Sequence, residues 1–241
     1  MADGCSDNYL CFEHLVSIHN RRMTPPNSDN IAMRAQADIE RFYSRVVFRT
    51  LSDLVPEPLP GNPVTNDLDQ FLDRARIATH NGLCVEARNA FALTMGAAFE
   101  RHLRLWLATK CPADRKKIQK EAGWLNVAGR VSALAGTDMA ALALAVDVEE
   151  LWLVVSAVRH GDGQACTTLR TQAPQLWGHL TPAELEEAVS DGSASFNMQV
   201  SDGDLARYAH AILAFWGYLG ATPFGREGGG QGFYVPVAYF G

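Results

Sequence analysis

The stretch from residue 83 to residue 110 constrains the fold most, because it is the longest amphipathic segment of the 241-residue chain. Its apolar and small side chains recur at the three- and four-residue spacing of a helix face. The residues on that face are Ala87, Phe91, Thr94, Ala98, Leu103 and Trp106. Small residues beside large ones favour close packing against a second helix. Pro112 follows the segment and ends it.

A second long segment covers residues 139–159, beginning after Thr137-Asp138, and is almost entirely apolar up to Val146. A helix that is apolar around most of its circumference is buried in a core. We therefore expect the two long helices to pack antiparallel at the centre of an all-α, multi-helix bundle.

Helix start and stop signals predict further helices before and between these two. Ser28 or Asn30 caps a helix that runs to about residue 54, and a proline-rich loop follows it. Asn66 caps a helix that is expected to stop at Asn81-Gly82, a favourable left-handed pair. Two shorter helices are predicted over residues 112–122 and 125–134.

The last third of the chain carries two strong helix starts. Thr181 is followed by a proline and, three residues on, by a glutamate, which is a capping-box pattern. Ser201 caps the last long helix, whose inward-facing residues are Leu205, Ala209, Ile212, Phe215 and Leu219. The alternation of residues 195–200 is compatible with one short strand.

Breaks in helical pattern divide the chain into three parts. Pro25 and Pro26 block helix propagation, so residues 1–27 are expected to form an N-terminal extension. Residues 28–220 form the helical domain. Residues 221–241 are rich in glycine at first and aromatic at the end, and we expect an irregular C-terminal tail.

Composition and charge restrict the partners. The chain is 47% hydrophobic, enough for a sizeable core, and its net charge of −6 argues against a broad nucleic-acid-binding surface. Any RNA contact therefore has to be local or made by an assembly. No apolar run reaches the roughly 18–20 residues that cross a bilayer, and the five cysteines are scattered. We expect a cytoplasmic protein that does not contact a membrane.

The end of the second long helix is the most informative site. Leu151, Val154, Val155 and Val158 anchor the helix, and it then runs into Arg159-His160-Gly161-Asp162-Gly163. The glycines permit a sharp turn. Basic residues at a helix C-terminus often only complement its dipole. The alternative is that Arg159, His160 and Asp162 form a functional surface.

The order of these motifs resembles the HEPN superfamily of helical domains from prokaryotic toxin–antitoxin and antiviral defence systems. The resemblance rests on "AAFERHLR", then "VRHGDG" at the end of an apolar helix, then "LARYAHAILAFW", and spans residues 32–219. It implies a small helical bundle that forms a homodimer. Many members of that superfamily are ribonucleases that need no metal or other cofactor, and they carry an Arg-x4-6-His motif late on a core helix. The resemblance implies the same activity as an expectation for this chain.

The residue types of that motif fit RNA cleavage by the 2′-hydroxyl. A histidine exchanges the proton near neutral pH, and an arginine donates to the phosphate oxygens. In this chain the motif is incomplete. If His160 is the motif histidine, the arginine should fall at residues 153–155. If Arg159 is the motif arginine, the histidine should fall at residues 164–166. Neither arginine nor histidine stands there. An Arg74-x5-His80 match lies on the shorter helix, where we interpret it as chance.

Three interpretations follow. The domain has lost nuclease activity and serves as a binding or scaffold module, which we favour; or Asp162 orients His160 for catalysis; or two chains combine their Arg159–Asp162 turns in one composite site. If active, the chain is a metal-independent endoribonuclease.

Basic side chains elsewhere are candidates for contact with the RNA backbone. They are Arg101 and Arg104 in "FERHLR" and Arg115, Lys116 and Lys117 in "DRKKIQKE", although such clusters are more often solvated helix faces. We predict no metal site; the nearest candidate set is Cys5, Cys11, His14 and His19, which lacks the paired spacing of a zinc finger.

The expected function is thus a HEPN-like domain that binds or cleaves RNA. The alternative is a non-catalytic interaction module of the antitoxin or immunity type, with a cognate protein partner. A small-molecule sensor with a pocket between helices is a third possibility.

Overall fold

The structure is a computed structural model that describes residues 28–60, 67–121 and 123–219. Helices form in it where hydrophobic periodicity and capping residues both predict them. The α-helices are α1 (Ser28–Phe42), α2 (Phe48–Asp53), α3 (Leu68–Lys110), α4 (Arg115–Lys120), α5 (Trp124–Ala135), α6 (Ala145–His160), α7 (Gln164–Gln172), α8 (Pro182–Ser190) and α9 (Asp202–Tyr218). A π-helical turn, Tyr43–Val47, joins α1 to α2. Short 3-10 turns lie at Pro112–Asp114, Met139–Ala141 and Pro174–Trp177. The predicted all-α, multi-helix bundle is confirmed.

The core lies between α1, α3, α6 and α9, which pack on one another. Aromatic rings fill its centre: Phe99 of α3 meets Phe215 of α9 edge-on, with ring centroids 5.1 Å apart. Trp216 and Trp124 also pack against the ring of Phe99. Edge-to-face arrangements of this kind stabilise a core beyond the area they bury.

The two predicted core helices touch at a glycine. A Cβ placed on Gly96 of α3 would lie 2.3 Å from Val155 Cγ2 and 3.4 Å from Leu151 Cγ, both on α6. No side chain larger than a hydrogen fits at that distance. Gly96 therefore sets how closely α3 and α6 approach, which in turn positions the end of α6.

The predicted helix stop at Asn81-Gly82 is wrong. One continuous helix, α3, runs through both residues for 43 residues. Asn81 does not cap it, because its side-chain oxygen accepts from Glu57 N at 2.8 Å and its amide donates to Glu57 O at 2.8 Å. With Asn81 committed to residue 57 and no left-handed residue at position 82, the helix continues.

The predicted inward face of α3 is also offset. Leu103 and Trp106 are buried as predicted, but Thr94 is exposed. The buried face also includes Ala92, Met95 and Phe99 and the polar side chains of Arg88 and His102. Burial lowers the pKa of His102, with Arg101 adding to the effect. The buried face was not recognised in the sequence because it contains Arg88 and His102, and basic residues are usually exposed to solvent.

Other helix boundaries follow the predictions with small shifts. The segment from residue 139 begins as a 3-10 turn and becomes α-helical at Ala145. Capping boxes form at Thr181 with Glu184 and at Ser201 with Asp204, as the sequence predicts. The five residues predicted to face inward on the last helix are all buried; four lie on α9 and Leu219 is the residue just after it.

The strand over residues 195–200 does not form. Residues 198–200 are instead held by side-chain bonds: Asn89 of α3 donates to Met198 O at 3.0 Å and accepts from Val200 N at 3.2 Å. A buried asparagine thus satisfies the backbone groups that a neighbouring strand would otherwise pair.

No helix in the described ranges is both long enough and apolar enough to cross a membrane. The four residues considered as the nearest candidates for a metal site (Cys5, Cys11, His14 and His19) lie outside the described residues, as do the N-terminal extension and the C-terminal tail.

Candidate functional site at the end of α6

The last turn of α6 carries two exposed basic residues. Leu151 and Val154 anchor the helix in the core, while Arg159 and His160 are exposed. Gly161 ends the helix with φ of +74° and donates its N–H to Ala157 O at 2.8 Å. A side chain at this φ would be strained, so the glycine allows the chain to turn sharply and leave both basic groups at the rim.

Both basic residues line a cavity of about 220 Å3. Its walls come from α3, α6 and the segment that precedes α5. Besides Arg159 and His160, the side chains that carry chemistry or a stacking surface there are Phe99, Glu100, Arg104, Glu121, Trp152 and Ser156. The cavity therefore joins cationic donors, two carboxylates, a hydroxyl and aromatic surface.

Glu100 links the two arginines of the cavity. Its Oε2 accepts from Arg159 Nη1 at 3.4 Å, and its Oε1 accepts from Arg104 Nη2 at 2.8 Å. The first contact is long, and the Arg159 side chain is 39% exposed. Arg159 makes no other hydrogen bond to a described residue, so its remaining N–H donors are available to an anion.

Arg104 has a different role from the one predicted. It donates to Glu100, to Ile118 O at 2.6 Å and to Glu121 O at 2.8 Å. These bonds close the end of α4 onto α3, so most of its donors are used within the chain. Arg104 positions Glu100 and the cavity wall rather than presenting a charge outward.

Asp162 turns away from the cavity. Its carboxylate accepts from Ala194 N at 2.8 Å and from Ser195 N at 2.5 Å, and the Cys166 thiol lies 3.8 Å away. Desolvation works to raise its pKa, but the hydrogen bonds from Ser195 and Ala194 outweigh it, so the pKa of Asp162 is lowered.

The structure does not support a role for Asp162 in orienting His160. No hydrogen bond joins the two, and within the described part of the chain the His160 ring has no hydrogen-bond partner. The imidazole lies at the cavity rim, exposed to solvent.

A second cavity, of about 430 Å3, adjoins the first and lies between α3 and α4. Arg101 and Arg115 line it together with the apolar side chains of Ala97, Leu105 and Ala108. Glu100 and Arg104 line both cavities. The fold thus brings Arg101 and Arg115 to the same surface as Arg159.

Lys116 and Lys117 are exposed on α4, next in sequence to Arg115, but line neither cavity.

The alternative Arg74-x5-His80 match forms no site. Arg74 donates to Pro60 O at 2.9 Å and His80 Nε2 is bonded to Val55 O at 3.0 Å. Both side chains hold the segment 54–60 against α3.

Sequence reasoning did not place Glu100, Trp152 or Ser156 in the site. The four-residue spacing from Glu100 to Arg104 and from Trp152 to Ser156 puts each pair on one helix face. It does not reveal that the two faces meet, because that depends on the contact at Gly96.

In the described part of the chain, no three histidine, cysteine or acidic residues are grouped closely enough to hold a metal ion. Comparison with family models, with curated proteins and with solved structures finds no match.

Proposed function

We propose that this chain is a HEPN-like helical domain of a bacterial defence or toxin–antitoxin type, and that it binds RNA without a metal at the end of α6. One observation carries the proposal: Arg159 and His160 both line one open cavity, beside a second cavity lined by Arg101 and Arg115. Arginine donors of this kind bind phosphate oxygens, and the half-buried Trp152, which lines the cavity, offers part of its ring to a stacked base.

The chemistry of the site favours binding over cleavage. Cleavage requires a base that takes the proton of the 2′-hydroxyl as it attacks phosphorus, and an acid that protonates the departing 5′-oxygen. His160 is the one histidine in the cavity, and Glu100, the nearest carboxylate to Arg159, is held by two arginines. We therefore assign Arg159 and His160 to binding, with any endoribonuclease activity slow.

The alternative proposal is a non-catalytic module that binds a cognate protein. The observation in its favour is the number of large apolar side chains left exposed on α3, among them Leu68 and Phe71. Exposed apolar groups of this extent mark surfaces that contact other macromolecules.

The test compares single-stranded RNA binding by the wild-type chain and its Arg159→Ala and His160→Ala variants, by fluorescence anisotropy in EDTA. We expect Arg159→Ala to weaken binding by about tenfold, the effect of losing a charge-assisted bond to phosphate. Arg49→Ala is the matched control, since Arg49 is exposed and does not line either cavity.

Gel analysis of the same mixtures measures cleavage. Equal affinity of the wild-type, Arg159→Ala and Arg49→Ala chains would refute the proposed site. Rapid cleavage abolished by His160→Ala would instead make the chain a ribonuclease. A chain without RNA affinity that copurifies with one protein would favour the interaction module.

A further inference from the structure

An exposed aromatic side chain lies in the loop that contacts the end of α6. Phe196 is 79% exposed, the highest value among the large apolar side chains of the described residues. It belongs to the turn that residues 193–197 form between α8 and α9, which we call the 193–197 turn. The RNA site proposed above does not include this residue.

The 193–197 turn is bound to the residues that follow the two basic side chains of α6. The carboxylate of Asp162 accepts from Ala194 N at 2.8 Å and from Ser195 N at 2.5 Å. A Cβ placed on Gly161 would lie 3.8 Å from Ser195 Oγ. Because Phe196 is the next residue after Ser195, its backbone lies close to the end of α6.

Hydrogen bonds and burial fix the turn on both sides of Phe196. Trp177 Nε1 donates to Ala194 O at 2.7 Å, and Asn197 Nδ2 donates to the carbonyl oxygen of residue 193 at 3.0 Å. Ala194 and Met198 are fully buried, so the turn is anchored in the core two residues before and two residues after the exposed ring. The ring therefore stands on an ordered turn, and little backbone ordering is needed when a ligand binds there.

We propose that Phe196 stacks on a base of a single-stranded RNA whose phosphate is bound by Arg159 and His160, an inference that rests on the proposed function. Solvent-exposed aromatic rings are the usual platform for unpaired bases, since every base has a π-face. The contact between the turn and the end of α6 places Phe196 where a nucleotide next to the bound phosphate passes. Phe196 thus extends the site outside the cavity that Trp152 lines.

Charge favours a base over a phosphate at this turn. Asp162 and Asp191 both accept from backbone N–H groups of the turn. The segment of residues 188–206 contains no lysine or arginine. Two carboxylates without a neighbouring cation in the segment repel phosphate, whereas a base is uncharged at neutral pH. The phosphates are therefore expected on the side of Arg159, and a base on the side of Phe196.

The residues around Phe196 also favour a base over a protein partner. Within the turn its neighbours are Ser193, Ser195 and Asn197, which are polar and half-buried. A protein interface is built around an apolar centre made by several residues. One ring in polar surroundings offers the area of a single base instead.

The first experiment measures the affinity of a labelled single-stranded RNA by fluorescence anisotropy in EDTA. Phe196→Ala should raise the dissociation constant about tenfold, within the range for the loss of one stacked base. Phe196→Tyr should keep the wild-type affinity because it keeps the ring, and Phe196→Leu should bind as weakly as Phe196→Ala. Phe71→Ala is the matched control, since Phe71 is 61% exposed on α3 and lines neither cavity near α6.

The second experiment repeats the titrations with an abasic strand of the same length and charge. Stacking requires a base, so Phe196→Ala should bind the abasic strand as tightly as the wild type does, while Arg159→Ala should weaken the binding of both strands. Because the Phe196 side chain is exposed, its variants should also keep the wild-type melting temperature. Weaker binding of the abasic strand by Phe196→Ala would show that the ring does not act through a base, and it would overturn the inference.

The outcomes separate this inference from the proposed function. If Arg159→Ala weakens RNA binding and Phe196→Ala does not, the stacking role is overturned and the site at the end of α6 stands. If Phe196→Ala weakens binding and Arg159→Ala does not, the stacking role is supported and the proposed phosphate site is refuted. A wild-type chain without affinity for RNA overturns both.

Discussion

At the scale of single residues, Asp162 lies next to the candidate site in sequence but stabilises the fold, because its carboxylate binds backbone N–H groups of a distant loop. Its neighbours in sequence, Arg159 and His160, indicate a catalytic group. Its actual partners, Ala194 and Ser195, lie more than thirty residues further along the chain. Exposure of Arg159 and His160 followed from the helix pattern and was predictable. The partners of Asp162 were not, because they depend on where a distant loop returns to α6.

Asp162→Asn tests this structural role. The amide keeps one acceptor oxygen but turns an N–H donor toward one of the two backbone N–H groups. We expect the free energy of unfolding at pH 7 to fall by about 1 kcal/mol. The effect is small because the site is exposed to solvent. Chemical denaturation measures it. Asp53→Asn is the control, since Asp53 is exposed and its carboxylate makes no hydrogen bond to a described residue.

The same variant should change the pH dependence of stability. The pKa of Asp162 is lower in the folded chain than its ordinary value. Its carboxylate therefore stabilises the fold fully above pH of about 4 and loses that effect as the pH falls through the folded pKa. The difference between wild type and Asp162→Asn should shrink on acidification. A difference that stays constant from pH 7 to pH 3 would contradict the role of the charge.

At the scale of helices, local chemistry predicted where most of them begin. Thr181 and Ser201 cap their helices as expected, because capping depends on residues within one turn. The length of α3 was not predictable in this way. The residue expected to end it, Asn81, is bound to Glu57, which is 24 positions away. The buried face of α3 was misplaced for a related reason, since Arg88 reaches Asp202 of α9 at 2.6 Å.

Gly96 provides a test of the contact between α3 and α6. Alanine has a better helix propensity than glycine by about 1 kcal/mol, but at this position its Cβ would overlap Val155. Overpacking costs about 1–3 kcal/mol, so Gly96→Ala should lower the free energy of unfolding, and Val155→Ala in the same chain should restore part of the loss.

Gly129→Ala on α5 is the matched control for that substitution. No atom lies within 4 Å of the Cβ it would add, so alanine there should stabilise the chain. Thermal and urea unfolding of the three variants measure these changes. A stable Gly96→Ala chain would mean that the two helices separate easily, and the cavity at the end of α6 would then not be rigidly positioned.

At the scale of the whole molecule, the chain is acidic while its candidate site is basic. The net charge is −6, yet Arg101, Arg115 and Arg159 lie around two adjoining cavities. The total charge was sufficient to predict that any RNA contact would be local. The grouping of these three arginines could not be predicted, because it requires α3, α4 and α6 to meet at one place.

The salt dependence of RNA affinity measures how far this basic surface extends. Each phosphate neutralised on a single strand contributes about −0.7 to the slope of log affinity against log salt concentration. If RNA runs from the end of α6 to α4, replacing Arg115, Lys116 and Lys117 together by alanine should make the slope shallower by about 2. All three side chains are exposed, so the fold should be retained. If the triple variant has the same slope as the wild type, RNA contacts only the cavity beside Arg159 and His160. If the affinity of both chains is independent of salt concentration, the protein does not bind phosphate groups.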